Sequence, residues 1–573
     1  MKSLKFNRFL LKEYLFLLIL ITLSVINIIY MHYTILLDKY SLTNFAYLEN
    51  ILHTIAEVFS IYALFIIFIK KRYYLFFIPY FIILLISFSN VIYSKYFYTY
   101  MPLDLYTEFN NLNGISYNIY AGLDFSNIIY LFTTSIGIAY YIKYRKEFTN
   151  NSLKERLYKL IFTLSIPFIT TIGLIMISTI HWSKLEYKYI HPFKNSPTES
   201  TFKFGIFYGT IIQSIISEKE NFDINKLQNL KPFFASKANI NKKQNKNIII
   251  IIVESLLSFP TARSINGVEI TPNLNKLTRD GAYYNNNMSS QVKLGESSDG
   301  QFIYLNGLLP QNKGITIYDY FNNKFQALPC ILKKENKEIQ CEMTIPTSSK
   351  TWRQDGICIK YGFDKLFSRK DYYQTNLNES WLNDKQLFEY AFFNDCKRTL
   401  PFFSVILTSS THSPYIKEFE KNELVFPEEY SPEFKNYLSN VHYMDKHLGI
   451  YINNLKKVHL YNNSIIFIVS DHTISTSWLK CDKMNISNKI PFYIINPTVK
   501  INKPANYPME QVDVFPTILD LLGLKSEWRG VGKSLLTPEK ELNTKREIFR
   551  SKNKQTISEI IISSNYFKNQ KIN

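Results

Sequence analysis

The first 180 residues contain five long apolar stretches, and this feature constrains the fold more than any other part of the chain. Each stretch approaches the ~20 residues with which an α-helix crosses a bilayer. A lone segment spans lipid only as a helix, because its backbone N–H and C=O groups must bond to one another. We therefore predict an N-terminal polytopic α-helical membrane domain over residues 1–182, with five helices near residues 14–36, 51–69, 73–93, 127–142 and 158–180.

Flanking charge orients these helices. Lys and Arg crowd the segments before the first stretch, between the second and third, and between the fourth and fifth, whereas the other two loops hold few. The positive-inside rule then places the N-terminus in the cytoplasm, and an odd number of crossings places everything after residue 180 outside. The first stretch follows basic residues as a signal peptide would. It is too long for one and lacks a small-residue cleavage site, so we interpret it as an anchor.

Glu57 lies inside the second predicted span, where a carboxylate is costly and often functional. The other interpretation is a side chain held in a polar bundle interior, with His53 one turn earlier as its candidate partner. We favour this structural interpretation.

Residues 183–246 are predicted to be a linker. Within it, we expect residues 204–216 to form an amphipathic helix that lies on the membrane surface. Residues 236–238, Ser-Lys-Ala, have the small-x-small form of a signal-peptidase site. Such triplets are common, so we expect an intact linker and keep cleavage as the alternative.

Strands and helices alternate over residues 247–540. Six β-branched residues at 248–253, stopped by Glu254, are typical of a strand buried on both faces of a parallel sheet. Residues 272–280 are predicted to form a helix with Thr271 as its N-cap. The alternation predicts an α/β domain with a mixed, mainly parallel sheet, followed by a tail at 541–573. Further strands are predicted at 402–407, 465–469 and 492–495, and further helices at 433–455 and 513–522.

Polar side chains follow the predicted strands. Glu254 ends the first strand, and Asp471-His472 follow the strand at 465–469. A loop at 295–300, Gly-Glu-Ser-Ser-Asp-Gly, adds two hydroxyls. Because open α/β sheets carry their chemistry at the carboxyl ends of strands, we expect these groups to meet. A Glu, an Asp, a His and a Ser together predict an oxygen/nitrogen metal site that holds a hydroxyl nucleophile.

The net charge of the chain indicates which kinds of partner it can bind. The net charge of +19 fits attraction to anionic lipids or phosphate substrates, or simply a lysine-rich proteome. The chain has no dense basic tract with interleaved aromatic residues, so we predict no nucleic-acid partner.

The five cysteines all follow the membrane portion, and none forms a CxxC pair. Outside the cytoplasm they would permit disulfides, with one thiol left over.

Four motifs occur in a fixed order: Glu-Ser-Leu at 254–256, Thr-Pro-Asn-Leu-Asn at 271–275, Gly-Glu-Ser-Ser-Asp at 295–299, and Asp-His at 471–472. In this order they resemble the alkaline phosphatase/sulfatase superfamily. Within it they resemble the membrane-anchored lipoteichoic acid synthase and phosphoglycerol transferase branch. The resemblance covers roughly residues 247–537, with a similar membrane portion before it. It implies a sulfatase-like fold for 247–540, with the catalytic domain outside the cell membrane.

The resemblance also implies roles for single residues. Glu254, Ser297, Asp471 and His472 would bind one divalent ion, for which we expect Mn²⁺, with Zn²⁺ and Mg²⁺ as alternatives. Ser297 would be the nucleophile, and the adjacent Ser298 is the alternative. The family usually has Lys and Thr where this chain has Glu296 and Ser297. No Cys stands two residues after Ser297, as a formylglycine-type sulfatase would require, so ordinary sulfatase activity is disfavoured.

Two further motifs imply substrate contacts. His412 matches the family's substrate-phosphate histidine. Trp352 and Arg353 resemble the family's Trp-x-Arg-Asp group, which binds glycerol phosphate, although Arg353 stands one place early and Gln354 takes the expected position. Either Arg353 reaches the phosphate from its shifted position, or the pocket prefers a different head group.

These observations support one leading function and two alternatives. The leading hypothesis is a membrane-anchored transferase that moves phosphoglycerol, or a related phosphate-linked head group, from a phospholipid to a cell-envelope glycan or glycolipid through a covalent serine intermediate. The first alternative is a phosphoethanolamine transferase acting on lipid A or a surface glycan. The second is a catalytically inactive envelope-binding protein that kept the fold.

The orientation of the membrane domain yields a first prediction. A reporter fused after Leu536 is expected to be active only if it is one that functions outside the cytoplasm, because Lys and Arg occupy alternate loops. Matched fusions with a cytoplasmic reporter serve as the control, and their activity at the same position would overturn the five-span topology.

Overall fold

The computed structural model describes residues 2–36, 44–70, 72–97, 100–101, 106, 119–120, 122–148, 152–181, 201–202, 204–209, 233–237, 243–312, 315–349, 351–372, 381–398, 401–413, 415, 418–421, 423–474, 479 and 486–569. The chain divides into two compact units. The first comprises Met1–Thr107 and Ile119–Glu220, and the second comprises Glu108–Asn118 and Asn221–Asn573.

The first unit is helical. Its long helices are α1 (Lys2–Leu36), α2 (Asn44–Ile66), α3 (Phe77–Phe97), α4 (Ile128–Tyr144) and α5 (Leu153–His181). Within the described residues, four segments are long and apolar enough to cross a membrane: Lys12–Ile35, Tyr47–Ile66, Tyr73–Lys95 and Phe125–Tyr144. Helix α5 has 29 residues and occupies the fifth predicted position. The predicted helical N-terminal region is confirmed, with four to five apolar helices.

Glu57 serves a structural purpose in this unit. The side chain is fully buried, and its carboxylate accepts hydrogen bonds from the backbone N–H groups of Phe207 and Tyr208, the latter at 3.2 Å. A Cβ at Gly205, whose φ is +87°, would collide with this carboxylate. Glu57 therefore caps a short turn of the segment predicted as a surface helix. Phe204 of that segment is buried, and residues 210–216 lie outside the described residues.

The second unit alternates strands and helices. The strands are β1 (Asn247–Val253), β2 (Ser264–Ile265), β3 (Val268–Glu269), β4 (Tyr283–Ser289), β5 (Gln340–Thr344), β6 (Lys365–Phe367), β7 (Phe402–Leu407), β8 (Ser464–Ser470), β9 (Lys489–Ile495) and β10 (Met509–Glu510). The helices are α6 (Pro272–Arg279), α7 (Ser297–Asn306), α8 (Thr316–Asp319), α9 (Leu328–Glu335), α10 (Gln354–Tyr361), α11 (Asp384–Asp395), α12 (Pro432–Lys457), α13 (Val514–Leu521), α14 (Glu539–Leu542), α15 (Lys545–Ser563) and α16 (Tyr566–Asn569).

One eight-stranded sheet organises these elements, in the order β10-β4-β9-β8-β1-β7-β5-β6. Strand β9 runs antiparallel to β8 and β4, and the other neighbours pair in parallel. The predicted mixed, mainly parallel sheet is therefore confirmed. A second, two-stranded sheet pairs β2 with β3.

Strand β1 lies at the centre of the sheet and is buried on both faces. Ile249, Ile251 and Val253 pack into the core cluster that contains Leu438 and Val441 of α12. Their alternating neighbours at 248, 250 and 252 point to the opposite face, and each is at most 2% exposed. This two-sided burial explains why the run is uniformly apolar rather than alternating.

The N-terminus of α6 differs from its prediction. Thr271 stands at the N-cap position, but its side chain makes no capping hydrogen bond. Instead, the buried carboxylate of Asp445, on α12, accepts hydrogen bonds from the backbone N–H groups of Asn273 and Leu274, both at 2.8 Å. Asp445 is 171 residues from Leu274 in sequence, so the local sequence around α6 could not predict this cap.

Residues after 541, predicted to be a tail, include the 19-residue helix α15. Its inward side carries Ile557 and Ile561, both buried, and the Ser558 hydroxyl accepts a hydrogen bond from the backbone N–H of Leu309 at 3.0 Å. The helix therefore packs against the body of the second unit.

The described cysteines are all free thiols. Cys341 and Cys358 are buried, Cys330 is half-buried and Cys396 is exposed. Cys481 lies outside the described residues.

The Asp445 cap provides a test of the fold. Replacing Asp445 with Ala is expected to lower the free energy of unfolding by about 1–2 kcal/mol, because two α6 N–H groups lose their acceptor. Thermal unfolding of the full-length protein measures the change. Lys446→Ala is the control, since its ion pair with Glu420 is about half exposed and worth less than ~1 kcal/mol. Equal destabilisation by both changes would contradict the cap.

Candidate active site

Three adjacent strands end at the same edge of the sheet. β1 lies between β8 and β7 and runs parallel to both, with Val253 in register with Ser470. Glu254 directly follows β1, and Asp471 directly follows β8. Thr408 follows β7, and its hydroxyl accepts a hydrogen bond from the backbone N–H of Glu254 at 3.0 Å. Parallel pairing thus brings together residues that are far apart in the chain.

Glu254, Asp471 and His472 form a compact group at this edge. Their potential ligand atoms all lie within 4.8 Å of one another. The His472 Nε2 atom lies 3.5 Å from both a Glu254 and an Asp471 carboxylate oxygen. The His472 Nδ1 atom lies 2.7 Å from the carbonyl oxygen of Thr473 and donates a hydrogen bond to it. That bond directs Nε2 toward the two carboxylates, and Nε2 is the atom that would bind a metal ion, which would displace the Nε2 proton.

The electrostatics of this group favour a bound cation. Burial, followed by the neighbouring Glu254 charge, raises the pKa of Asp471 to about 7. Burial opposes protonation of His472, but the carboxylates of Asp471, Glu254 and Glu296 outweigh it and raise its pKa to about 10. Negative charge is therefore concentrated in a buried space. Two carboxylates and one imidazole are a donor set that fits a divalent cation, whose charge would offset this repulsion.

Ser297 is presented to the group by a strained turn. It is the first residue of α7, and Glu296 before it has φ 42° and ψ −117°, which non-glycine residues rarely adopt. The Ser297 Oγ atom lies 3.2 Å from a Glu254 carboxylate oxygen and 3.2 Å from His472 Nε2. A hydroxyl at the N-terminus of a helix, next to a candidate cation site, is a candidate nucleophile.

Ser298 has a different orientation. It is buried, and its hydroxyl donates a hydrogen bond to the carbonyl oxygen of Gly295 at 2.6 Å. Asp299 also stabilises the loop, because its carboxylate accepts hydrogen bonds from the backbone N–H groups of Lys293 at 2.9 Å and Gly295 at 3.0 Å. These bonds fix the path of the loop that carries Ser297.

The rear of the site depends on close backbone packing. A Cβ at Gly300 would lie 2.5 Å from the Asp471 carbonyl oxygen, so only glycine lets α7 approach the end of β8. The Gln511 side chain donates a hydrogen bond to the same carbonyl at 2.5 Å, and the Tyr304 hydroxyl donates to the Ser470 carbonyl at 2.6 Å. The sequence predicts a structural role for the segment that begins at Gln511 but does not connect it with Asp471, because the two residues are 40 positions apart.

His412 lies beyond β7, beside Trp381. The two rings meet edge to face at 4.6 Å. The His412 Nδ1 atom lies 2.5 Å from the Ser413 carbonyl oxygen. Burial, with a smaller effect from His472, lowers the pKa of His412 to about 4, so its imidazole is neutral near pH 7.

Arg353 and Gln354 are adjacent in sequence, but their side chains contact different parts of the domain. Trp352 and Arg353 both have φ 52°, and the Arg353 guanidinium lies 5.0 Å from the centre of the Phe321 ring. Gln354 is buried, and its side-chain N–H donates to the Gln301 side-chain oxygen at 2.8 Å. Gln301 stands on α7, one turn after the nucleophile candidate. Gln354, in the position where the family usually has Arg, is therefore tied directly to the helix that carries Ser297.

Comparison with known proteins identifies the class of this domain. The Sulfatase family model matches residues 246–524. The crystal structure of the lipoteichoic acid synthase LtaP from Listeria monocytogenes is similar in fold, with a TM-score of 0.50 at 21% identity, over 59% of this chain and 97% of that one. The second unit is a sulfatase-family domain.

Curated relatives define the branch. The lipoteichoic acid synthase of Staphylococcus saprophyticus is 25% identical over 531 residues, which cover 87% of this chain and 79% of the relative. Lipoteichoic acid synthase 2 of Bacillus subtilis is 31% identical over 324 residues, 52% of this chain and 48% of the relative. Together these comparisons support the lipoteichoic acid synthase branch of the alkaline phosphatase/sulfatase superfamily, and the resemblance found from the motifs of the chain is confirmed.

The carboxylate group yields a prediction about metal content. Asp471→Asn is expected to lower bound divalent metal and activity together, because an amide is a weaker, uncharged ligand. Metal analysis of the purified full-length protein measures it. The matched control is Asp280→Asn, an exposed aspartate at the end of α6. Full metal content in the Asp471 variant would refute the ligand assignment.

Proposed function

We propose that this protein is a membrane-anchored transferase that moves phosphoglycerol, or a related phosphate-linked head group, from a phospholipid to a cell-envelope glycan or glycolipid. The observation that carries the proposal is the Ser297 hydroxyl, 3.2 Å from both Glu254 and His472 at the start of α7. Relatives named lipoteichoic acid synthases support the choice of head group. The apolar helices and the basic alternate loops support a multi-pass protein of the cell membrane with its catalytic domain outside.

Glu254, Asp471 and His472 would hold one divalent ion, with Ser297 completing the set. We propose Mn²⁺, with Zn²⁺ and Mg²⁺ as alternatives, since a set dominated by oxygen donors with one imidazole suits these ions. When bound, the ion supplies positive charge that lowers the pKa of a coordinated hydroxyl and offsets the charge of the phosphate.

Transfer would proceed in two displacements. The Ser297 oxygen attacks the phosphorus of the donor and gives up its proton, while the bond from phosphorus to the lipid oxygen breaks and the lipid leaves as an alcohol with one proton gained. The head group is then held as a phosphodiester on Ser297. An acceptor hydroxyl attacks the same phosphorus and loses its proton, the bond from phosphorus to the Ser297 oxygen breaks, and the serine is reprotonated. Atoms and protons balance over the cycle.

His412, Trp352 and Arg353 are assigned to substrate binding. His412 follows a strand that ends beside the metal group, and its neutral imidazole can exchange hydrogen bonds with a phosphate. The Arg353 guanidinium lies 5.0 Å from the centre of the Phe321 ring, and we assign it to the phosphate of the head group. Gln354, which is joined to α7 through Gln301, is the alternative contact for an uncharged head group.

The nucleophile prediction separates two adjacent serines. Ser297→Ala is expected to abolish head-group release, by roughly a thousandfold or more, because the atom that forms the covalent bond is removed. Ser298→Ala is the matched control and should retain most of the activity, since the Ser298 hydroxyl faces the Gly295 carbonyl. Ser297→Thr keeps a hydroxyl and should retain part of the rate.

Mass spectrometry of the full-length protein, incubated with phosphatidylglycerol or phosphatidylethanolamine vesicles, tests the same proposal. The expected result is a phosphoglycerol adduct on Ser297. A phosphoethanolamine adduct would select the alternative transferase. An adduct on Ser298 would shift the nucleophile by one residue, and a wild-type rate of release in both alanine variants would refute the serine mechanism.

A further inference from the structure

Helix α15 presents apolar side chains to solvent next to basic ones. Ile548 is 43% exposed and Phe549 is 51% exposed, and the Phe549 ring packs at 5.3 Å against the ring of Phe233. Lys545 and Lys552 are exposed on the same helix, one turn to either side of this pair. We call these five residues the α15 patch. Other exposed large apolar residues of the described second unit, such as Ile359 and Val425, have no exposed apolar neighbour in sequence.

The opposite side of α15 is fixed to the second unit by hydrogen bonds of buried and half-buried side chains. Arg550 is buried, donates to the Glu547 carboxylate at 2.6 Å and also bonds to the Val531 carbonyl. Gln555 donates to the Pro310 carbonyl at 2.8 Å. Because the inward side is fully packed, Ile548 and Phe549 are not misplaced core residues. A rigid helix holds them outward, where they form an exposed apolar pair that is available to a partner.

The linker joins the second unit at this helix. The Arg546 guanidinium donates to the Phe234 carbonyl at 2.5 Å, and the Ser236 hydroxyl donates to the Glu547 carboxylate at 2.6 Å. The backbone N–H of Ala235 bonds to the Gly530 carbonyl at 2.7 Å. The part of the chain that follows the membrane helices is thus attached beside the patch, and residues 210–232 separate Gly209 of the first unit from Phe233.

The charges of the patch match an anionic surface. Glu547, the acidic residue nearest to it on α15, is buried and paired with Arg550, so the exposed charges of the patch are the two lysines. Lysines attract anionic lipid head groups, and an aromatic ring between them can enter the boundary between head groups and acyl chains.

We propose that the α15 patch docks on the surface of an anionic bilayer and holds the catalytic domain at the membrane that carries its substrate. The proposal rests on the proposed function for its biological purpose, since a phospholipid donor lies in that bilayer. The linker supplies the tether, and the patch supplies contact with lipid.

Insertion is tested directly with the full-length protein in vesicles of phosphatidylglycerol with bromine-labelled acyl chains. Bromine quenches tryptophan fluorescence at short range, so Phe549→Trp should gain a quenched component relative to the parent protein. Phe393→Trp is the matched control, since Phe393 is 43% exposed on α11, away from the patch in sequence. Equal quenching of the two variants, or none at position 549, would overturn the docking proposal. This measurement does not depend on catalysis.

Activity provides a second readout. Replacing both Ile548 and Phe549 with Ser should slow head-group release from anionic vesicles by roughly threefold or more, with little change for a soluble short-chain donor. Ile359→Ser, at an exposed site on α10, is the control. Equal losses with both donors would overturn the proposal, as would a change of oligomeric state, which would assign the patch to a second copy. A parent protein inactive on every donor would refute the proposed function and leave the quenching result standing.

Discussion

The parallel pairing of β1 with β7 and β8 is the constraint on which the site depends. Val253 and Ser470 are in register, so the residues that follow them, Glu254 and Asp471, emerge side by side. Two buried carboxylates at this distance repel each other unless positive charge lies between them. The repulsion between the Glu254 and Asp471 carboxylates would be relieved by a divalent ion, and this relief would favour binding of the ion. Strand β1 can hold Glu254 in this unfavourable position because packing on both of its faces fixes the strand in place.

The loop before α7 adds the nucleophile at a cost in backbone strain. Glu296 has a left-handed φ, and Gly300 permits contact with the Asp471 backbone that no side chain would allow. The Asp299 carboxylate accepts a hydrogen bond from the Gly295 backbone N–H, and the Gln511 side chain donates one to the Asp471 carbonyl, so both the loop and the end of β8 are held in place. Strain of this kind persists only where surrounding contacts impose it, which is why it concentrates at functional sites. Glu57 in the helical unit is the instructive contrast. It is a buried carboxylate whose Oε1 atom accepts hydrogen bonds from the backbone N–H groups of Phe207 and Tyr208, which gives it a structural role.

The amino-acid sequence alone was enough to predict the helical N-terminal region, the mainly parallel sheet and the candidate metal group. The length and period of an apolar stretch can be recognised within one segment of the chain. Glu254 and Asp471 each directly follow a strand that is predicted by its own apolar composition. Topology then required neighbouring parallel strands to place these side chains at one edge. Strand β4 shows the limit. Its residues, Tyr283–Ser289, are rich in asparagine, and it forms a strand because β9 and β10 pair with it.

The partners of the individual side chains became clear only from the folded chain. It distinguished Ser297, which faces Glu254, from Ser298, which faces its own loop. It placed Arg353 over Phe321 and Gln354 against the nucleophile's helix. It replaced Thr271 with Asp445 as the cap of α6, and it made part of the expected tail into a packed helix. The physical reason is common to these cases. Each outcome depends on contacts that the folded chain creates, most of them with partners tens to hundreds of residues away, and a pattern within one segment contains no information about those partners.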